Sequence, residues 1–217
     1  MSNEKLKINA QSIRTELKSY ESKPYDCLFE YIWNSFDAGA TEINLDFEIP
    51  KEGIGYVDNV KISDNGNGWD FDDDATTGNF MSSTKKPRKN ITLPRGEKGR
   101  GRYTFIWISE KLFAFSKKRK LTLQHNTEIT KEDSDFDQAG TQIVFDKIYQ
   151  NFSEILLSND LNKNLAMEFG WFLLENGNRR ILINGARLSV EDFIKNSQEY
   201  SHEFFSHRIH HQFFSLG

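Results

Sequence analysis

A helical pattern that passes directly into a strand pattern is the strongest constraint on the fold of this chain. Residues 25–38 carry apolar side chains at helical spacing, and Pro24 stands where the first turn of a helix tolerates proline. Gly39 then ends the helix. Over residues 43–49 apolar and polar side chains alternate, which is the period of a strand with one buried face. The local pattern therefore predicts a helix followed by a half-buried strand.

The same two periods predict the rest of the secondary structure. A second strand after the turn-like segment 50–53 completes a predicted β-hairpin, and an acidic loop precedes residue 141. The segment 64–101 is rich in glycine and polar residues and long enough to be a functional loop. The other predicted helices are 11–19, 102–108 and 152–175, the last as one helix or two, and the other predicted strands are 60–62, 112–116, 121–125, 141–145 and 181–183.

Composition limits the class of protein. The 217 residues are 37% hydrophobic and 28% charged, and no apolar run approaches the roughly 20 residues that a membrane helix needs. The first ten residues are polar, unlike a signal peptide, and the single Cys27 excludes an internal disulfide. A net charge of -4 does not indicate a dedicated nucleic-acid binder, although it leaves nucleic acid open as a partner. We expect one main domain in a cytoplasmic protein that has no membrane partner.

An acid and an amide share one face of the predicted helix 25–38. Glu30 and Asn34 are four residues apart, so they lie one above the other, and Asp37 and Ala38 follow one turn later. A carboxylate on a helix rich in aromatic residues is costly without a partner. Its presence indicates water, a metal ion or a ligand at that face, or else a simple hydrogen-bonded pair between the two side chains.

A second polar motif, DNGNG, follows the strand at 60–62. Glycines at 66 and 68 allow positive φ angles and close backbone approach to a flat ligand, and Asp64 can accept a hydrogen bond from an exocyclic amine. The motif therefore predicts an adenine pocket. A calcium loop starting at Ser63 is disfavoured, because its twelfth position is Asp74 instead of glutamate and a strand precedes it.

A third motif, GEKGRGR, runs directly into the predicted helix 102–108. Its glycines, at 96, 99 and 101, would present backbone N–H groups that suit phosphate oxygens. The strand and acid that accompany a Rossmann glycine motif are missing, and the chain contains no GxxxxGK[ST] sequence. The loop therefore predicts an anion cradle that is neither a Rossmann site nor a P-loop.

Taken in order, these motifs resemble those of the GHKL superfamily of gyrase B, Hsp90, histidine kinases and MutL. The matching elements are ExxxNxxDA at 30–38, DNGNG at 64–68, GxKGxGR at 96–102 and the pair Gly140–Thr141. The resemblance spans roughly residues 12–185 and is closer to the Hsp90, MutL and MORC branch, with 82–85 similar to the start of a nucleotide lid. It implies an α/β two-layer sandwich of the Hsp90 N-terminal type, whose mixed, mostly antiparallel sheet carries helices on one face.

The resemblance also implies roles for individual residues. Glu30 would be the general base that activates water, and Asn34 would ligate Mg²⁺ through its amide oxygen. Asp64 would bind the adenine amine with support from Thr141. The remaining residues implied to contact ATP are Asp37, Ala38, Gly66 and Gly68 at the adenine, and Lys85, Gly96, Lys98, Gly99, Arg100, Gly101 and Arg102 at the phosphates.

The implied activity is Mg²⁺-dependent ATP binding and slow hydrolysis to ADP and phosphate, in a nucleotide-driven switch or dimer clamp. The ATP-binding domain would cover 1–188 with a lid at about 69–101, and 189–217 would begin a second domain or form a tail. A second phosphate-binding lysine is not identifiable, so a homodimer, a partner protein or a further domain would complete the site. The alternatives are a protein kinase of the histidine-kinase branch and a nucleotide sensor that does not hydrolyse ATP. Two other segments are interpreted as polar surface instead of metal sites, the acidic cluster at 70–74 and the four histidines at 202–211.

Overall fold

The helices lie close to their predicted positions. The computed structural model describes residues 10–48, 55–71, 101–125, 129–190, 197–204 and 207–214. Its helices are α1 (Ala10–Glu16), α2 (Pro24–Asp37), α3 (Gln150–Leu157) and α4 (Asp160–Glu175), with 3-10 helices at Lys18–Tyr20 and Gly101–Trp107. The long helical pattern at 152–175 is thus two helices. Among the described residues, no helix has the length and apolar character needed to cross a lipid bilayer.

Eight strands form one mixed sheet. They are β1 (Glu42–Phe47), β2 (Asn59–Asp64), β3 (Ser109–Ser116), β4 (Arg119–Gln124), β5 (Ile129–Asp133), β6 (Gln142–Ile148), β7 (Arg180–Ile183) and β8 (Ala186–Arg187). Their order is β5-β4-β3-β6-β2-β1-β7-β8, and every neighbouring pair is antiparallel except β1 with β7. The predicted fold class, an α/β sandwich with a mostly antiparallel sheet, is confirmed, as is the hairpin of β1 and β2.

The strand register places the apolar side chains of successive strands in rows on one face. One row is Leu45, Ile62, Ile143, Ala114 and Leu121, and each of these residues is at most 8% exposed. The opposite face is polar around β1 and β2, where Lys61 forms an ion pair with Asp46 at 3.5 Å. Because alternate residues point to opposite faces, this pattern puts the helix layer on the buried side only.

Helix α2 lies between this sheet and α4. On the sheet side, the ring of Tyr31 packs edge-on against Phe145 with centroids 4.9 Å apart. On the other side, Trp33 and Phe36 contact Phe169 and Phe172 of α4, with centroid distances of 4.8–6.1 Å. Each large side chain buried in this way contributes about 1.5–3 kcal/mol to folding. Because α2 is packed on two sides, the positions of the polar side chains that it carries are fixed.

Strand β5 was not predicted, because its segment has the composition of an acidic loop. Its acids lie opposite the basic residues of β4, and the register pairs Asp133 with Arg119 and Glu132 with Lys120. An exposed edge strand has little apolar alternation, so the periodicity used for the other strands is absent here. In the turn between β3 and β4, Lys117 and Lys118 are exposed and have positive φ angles of 50° and 61°.

Two parts of the predicted domain organisation lie partly or wholly outside the described residues. Most of the predicted lid at 69–101 is outside them. Beyond residue 190, the backbone forms a separate antiparallel pair of strands, β9 (Ser197–Phe204) and β10 (His207–Phe214). The division of the chain at 188 stays a prediction.

Candidate nucleotide-binding site

Asp64 ends β2 with its side chain on the helix-facing side of the sheet. Its Oδ1 accepts hydrogen bonds from the backbone N–H groups of Gly66, at 2.9 Å, and Thr141, at 3.2 Å. Its Oδ2 accepts one from the Ser35 hydroxyl of α2 at 2.8 Å. A carboxylate oxygen has two lone pairs, so with these described donors Oδ2 retains the capacity for one more. The carboxylate is therefore held on three sides and offers one acceptor position.

The DNGNG loop packs against the C-terminal end of α2. The N–H of Asn67 donates to the carbonyl oxygen of Ala38 at 2.9 Å. A Cβ at position 66 would lie 2.9 Å from that same carbonyl oxygen, and a Cβ at position 68 would lie 2.6 Å from Ser116 Oγ. Gly68 also has a φ of +76°. Both glycines are thus required by close approach to protein atoms, and their predicted contact with adenine stays a prediction.

The side chain of Asn65 is already committed within the protein. Its Oδ1 accepts the N–H groups of Thr41 and Glu42 at 2.9 and 3.0 Å, and its amide donates to the Thr41 hydroxyl. A calcium loop would need this oxygen at its third position. Within the part of the chain that the structure describes, no group of three His, Cys, Asp or Glu residues could hold a metal ion. The calcium alternative is therefore not favoured.

The turn before β6 closes the Asp64 cluster, which we define as Ser35, Asp64, Gly66, Gly140 and Thr141. Gly140 has a φ of +84°, and a Cβ there would overlap the backbone carbonyl of Asp64. The carbonyl oxygen of Thr141 also accepts the N–H of Asp64 at 2.9 Å. Thr141 therefore meets Asp64 through its backbone on both sides, and the absence of a side chain at 140 permits that contact.

Glu30 lies at the other end of the site, near the predicted phosphate loop. Its Oε1 accepts a hydrogen bond from the Tyr20 hydroxyl at 2.8 Å. Its Oε2 faces Gly101, where a Cβ would collide with that oxygen and lie 3.1 Å from Cδ. Glu30 is half-buried. The acid of the first motif thus contacts the last glycine of the third.

The 3-10 helix that begins at Gly101 is tied to α2 through buried hydroxyl groups. The Tyr31 hydroxyl donates to the carbonyl oxygen of Arg102 at 2.9 Å and accepts the N–H of Phe105 at 3.1 Å. The Thr104 hydroxyl donates to the carbonyl oxygen of Gly101 at 2.7 Å. Burial raises the pKa of Tyr31, so its hydroxyl keeps its proton. These bonds fix Gly101 relative to Glu30.

Helix α2 connects the two ends of the site. Ser35, which binds Asp64, follows Glu30 by five residues, or about 7.5 Å along the helix axis. Asn34 lies between them in sequence and is half-buried, as are Asp37 and Ala38. Helix α2 therefore carries both Glu30 and Asn34, and it contacts the Asp64 cluster through Ser35.

The other predicted phosphate contacts are only partly described. The Arg102 guanidinium lies over the ring of Tyr103, with its Cζ 5.4 Å from the centroid. Five predicted contacts lie outside the described residues, namely Lys85, Gly96, Lys98, Gly99 and Arg100.

Sequence reasoning missed three side chains that hold this arrangement together. Ser35 stands inside the first motif, beside Asn34, and its position was the only available signal. Tyr20 precedes the predicted helix 25–38 and has no periodic relation to Glu30. Ser116 donates to the carbonyl oxygen of Gly140 at 2.8 Å and accepts the N–H of Trp69 at 2.9 Å. Such contacts depend on tertiary packing and leave no local pattern.

Comparison with known proteins agrees with this geometry. The family model described as histidine kinase-, DNA gyrase B-, and HSP90-like ATPase matches residues 22–157, more than half of the chain. The matched range contains Glu30, Asn34, Asp64, Gly101 and Thr141. No curated protein gives a significant match. The chain belongs to the family of histidine kinase-, DNA gyrase B- and HSP90-like ATPases.

Proposed function

We propose that this protein binds ATP together with Mg²⁺ and hydrolyses it slowly to ADP and phosphate, as a nucleotide-driven switch or dimer clamp. One observation carries the proposal. At one end of the site, helix α2 contacts Asp64 through Ser35. At the other end, Glu30 of the same helix contacts Gly101. An adenine-binding end and a phosphate-binding end on a single rigid element suit an extended nucleotide.

The Asp64 cluster suits adenine better than guanine. Asp64 Oδ2 would accept a hydrogen bond from the exocyclic amine of adenine, while the three described donors hold the carboxylate in place. Guanine carries a carbonyl oxygen at the corresponding position, so two acceptors would face each other. ATP is therefore the expected substrate, and GTP is expected to bind much more weakly.

The phosphate end supplies a base and an oxygen ligand. Glu30 would orient the attacking water and take up its proton through Oε2, the oxygen that faces Gly101. The amide oxygen of Asn34 is a donor that fits Mg²⁺, which prefers oxygen ligands and uses few protein side chains when phosphates are present. When bound there, Mg²⁺ would neutralise charge on the phosphate oxygens. Arg102 and the glycines of the 96–101 loop would complete the phosphate contacts.

Slow turnover follows from the cations that the proposal assigns. Hydrolysis of a phosphoanhydride is accelerated mainly by positioning and charge stabilisation, and cationic residues contribute strongly. Arg102 is the assigned cation among the described residues, with Lys85, Lys98 and Arg100 assigned in the loops outside them. A second copy or a partner chain that closes on the nucleotide would supply the second phosphate-binding lysine. This closure would be the switch.

The test compares binding and hydrolysis in matched variants. Binding of ATP with Mg²⁺ is measured by calorimetry and turnover by phosphate release, in the wild type, Asp64→Asn, Glu30→Gln and Asp46→Asn. Asp64→Asn is expected to weaken binding about 10- to 100-fold, because a neutral amide replaces the charged acceptor. Glu30→Gln is expected to bind ATP normally and to lose at least about 100-fold in rate.

Asp46→Asn is the matched control, because it makes the same chemical change on the polar face of the sheet, where Asp46 pairs with Lys61. It should behave as the wild type does. A wild type that binds no adenine nucleotide contradicts the proposal, and one that binds ATP without turnover contradicts the hydrolytic part and leaves a nucleotide sensor.

A further inference from the structure

Tyr20 makes a direct contact with the proposed general base. Its hydroxyl donates to Glu30 Oε1 at 2.8 Å, across ten residues of sequence. Tyr20 lies just before the matched range 22–157 and contributes to none of the motifs that identify the family. Neither its position nor its spacing marks it as functional, and the contact is evident only in the folded chain.

The Tyr20 turn is held in place on several sides. The N–H of Tyr20 donates to the carbonyl oxygen of Leu17 at 2.9 Å, and that oxygen also accepts the indole N–H of Trp107 at 3.0 Å. Leu17 is fully buried. The carbonyl oxygen of Tyr20 accepts the N–H of Lys23 at 3.0 Å and the thiol of Cys27 at 3.7 Å. The phenol therefore approaches Glu30 from an anchored backbone.

The two oxygens of Glu30 have different surroundings. Tyr20 holds Oε1, and Oε2 faces Gly101 at the predicted phosphate loop. The terminal torsion of a glutamate side chain is soft, so an unrestrained carboxylate would rotate. Burial, followed by the hydrogen bond to Glu30, raises the pKa of Tyr20, so the phenol keeps its proton and remains a donor.

We propose that Tyr20 is a positioning residue for Glu30, fixing one carboxylate oxygen so that the other faces the water that attacks the nucleotide. This inference rests on the proposed ATPase function and deepens it. A hydrogen bond from a neutral donor to a carboxylate is among the stronger kinds, so the contact restrains the orientation of the Glu30 side chain. Tyr20 would thus act on the rate of hydrolysis and have little effect on ATP affinity.

A purely structural role of Tyr20 is separable from this one. Its ring packs against the hydrophobic core, and Tyr20→Phe keeps the ring while it removes the hydroxyl. Tyr25→Phe is the matched control, since Tyr25 lies in α2 and its hydroxyl makes a part-buried contact with Ser158 at 3.3 Å. Both variants lose one phenol hydroxyl, and only one of them loses a contact with Glu30.

The experiment measures kcat, KM and the calorimetric Kd for ATP in the full chain of the wild type, Tyr20→Phe, Tyr25→Phe, Glu30→Gln and the double variant Tyr20→Phe/Glu30→Gln. Tyr20→Phe is expected to lower kcat about tenfold with Kd and KM within twofold, and Tyr25→Phe is expected to match the wild type. In the Glu30→Gln background, Tyr20→Phe should change the residual rate by less than twofold, because its target is gone.

An unchanged or higher kcat in Tyr20→Phe overturns the inference, and so does an equal loss in Tyr25→Phe. If the wild type itself shows no turnover, the hydrolytic part of the proposed function fails, and a second readout decides whether Tyr20 holds Glu30. The carboxyl carbon of Glu30 in ¹³C-labelled protein is expected to shift in Tyr20→Phe and not in Tyr25→Phe. The same resonance position in all three proteins shows that the contact is absent.

Discussion

At the residue scale, Gly101 leaves the space that Glu30 occupies. Gly101→Ala would place a Cβ against Oε2, and because a glutamate side chain is flexible, the carboxylate would move while the fold remains. We expect kcat for ATP hydrolysis to fall at least about tenfold, with a change in unfolding free energy below about 1 kcal/mol. Phosphate release and urea unfolding measure the two quantities.

Gly177 provides the matched control for this substitution, because a Cβ there meets nothing within 4 Å. Gly177→Ala should keep the wild-type rate. Equal rates in the two alanine variants would show that position 101 does not constrain Glu30.

Gly140 presents a different case at the same scale, because its neighbour is backbone. Gly140→Ala would put an alanine at a φ of +84° and its Cβ in overlap with the backbone carbonyl of Asp64. Because both the turn and this carbonyl are backbone, neither can move aside cheaply. Gly185→Ala has a similar φ of +80° in open space, so it isolates the conformational cost, about 1–2 kcal/mol. Urea unfolding should show that Gly140→Ala loses more stability than Gly185→Ala. Gly140→Ala should also abolish ATP binding. Equal losses of unfolding free energy in the two variants would contradict the close contact between position 140 and the Asp64 carbonyl.

At the scale of elements, Tyr31 joins α2 to the 3-10 helix that carries Gly101. Tyr31→Phe removes two hydrogen bonds of the Tyr31 hydroxyl, the part-buried one to the carbonyl of Arg102 and the buried one from the N–H of Phe105. We expect the free energy of unfolding to fall by about 1–3 kcal/mol with an unchanged urea m-value. Tyr25→Phe, which loses only a 3.3 Å contact with Ser158, should cost less than about 0.5 kcal/mol. A loss of the same size in both variants would mean that Tyr31 does not tie the two helices.

At the scale of the whole molecule, the buried thiol of Cys27 links stability to pH. Cys27 is fully buried, and burial raises its pKa, with Asp26 and Glu30 adding to the effect. Below about pH 8.5 both the folded and the unfolded chain keep this proton, so the thiol has no effect on the pH dependence. Above that value the unfolded chain releases the proton and the folded chain retains it. The free energy of unfolding therefore falls as pH rises.

The resulting loss is about 1.4 kcal/mol at pH 9.5 relative to pH 7.5. Urea unfolding at these two pH values should show a drop in the wild type that exceeds the drop in Cys27→Ala by about this amount. Because Cys27→Ala keeps every other titrating group, its drop measures the pH dependence that does not come from the thiol. Equal drops would show that the thiol titrates alike in both states.

Sequence periodicity predicted the elements that have one buried face. Helix α2 and strands β1 and β2 follow from apolar residues at the spacing of a helix or a strand, because burial of one face requires that spacing. The glycines at 66 and 68 lie in a tight turn, which a polar, glycine-rich composition indicates, while their contact with adenine stays a prediction. Strand β5 was missed because it lies at an exposed edge and pairs with β4 through ion pairs instead of apolar side chains.

Local patterns thus account for the helix that carries Glu30 and Asn34, for the loop that carries Asp64, and for the family. Folding added the contacts that assemble them. Ser35 reaches Asp64 because α2 lies across the sheet at β2, and Tyr20 reaches Glu30 because the turn before α2 is anchored through Leu17 and Trp107. The parallel pairing of β1 with β7, which sets Ile43 opposite Ile181, is equally invisible in either segment alone. Strand order and helix packing are settled by the burial of the whole apolar face at once, and that is a property of the assembled core.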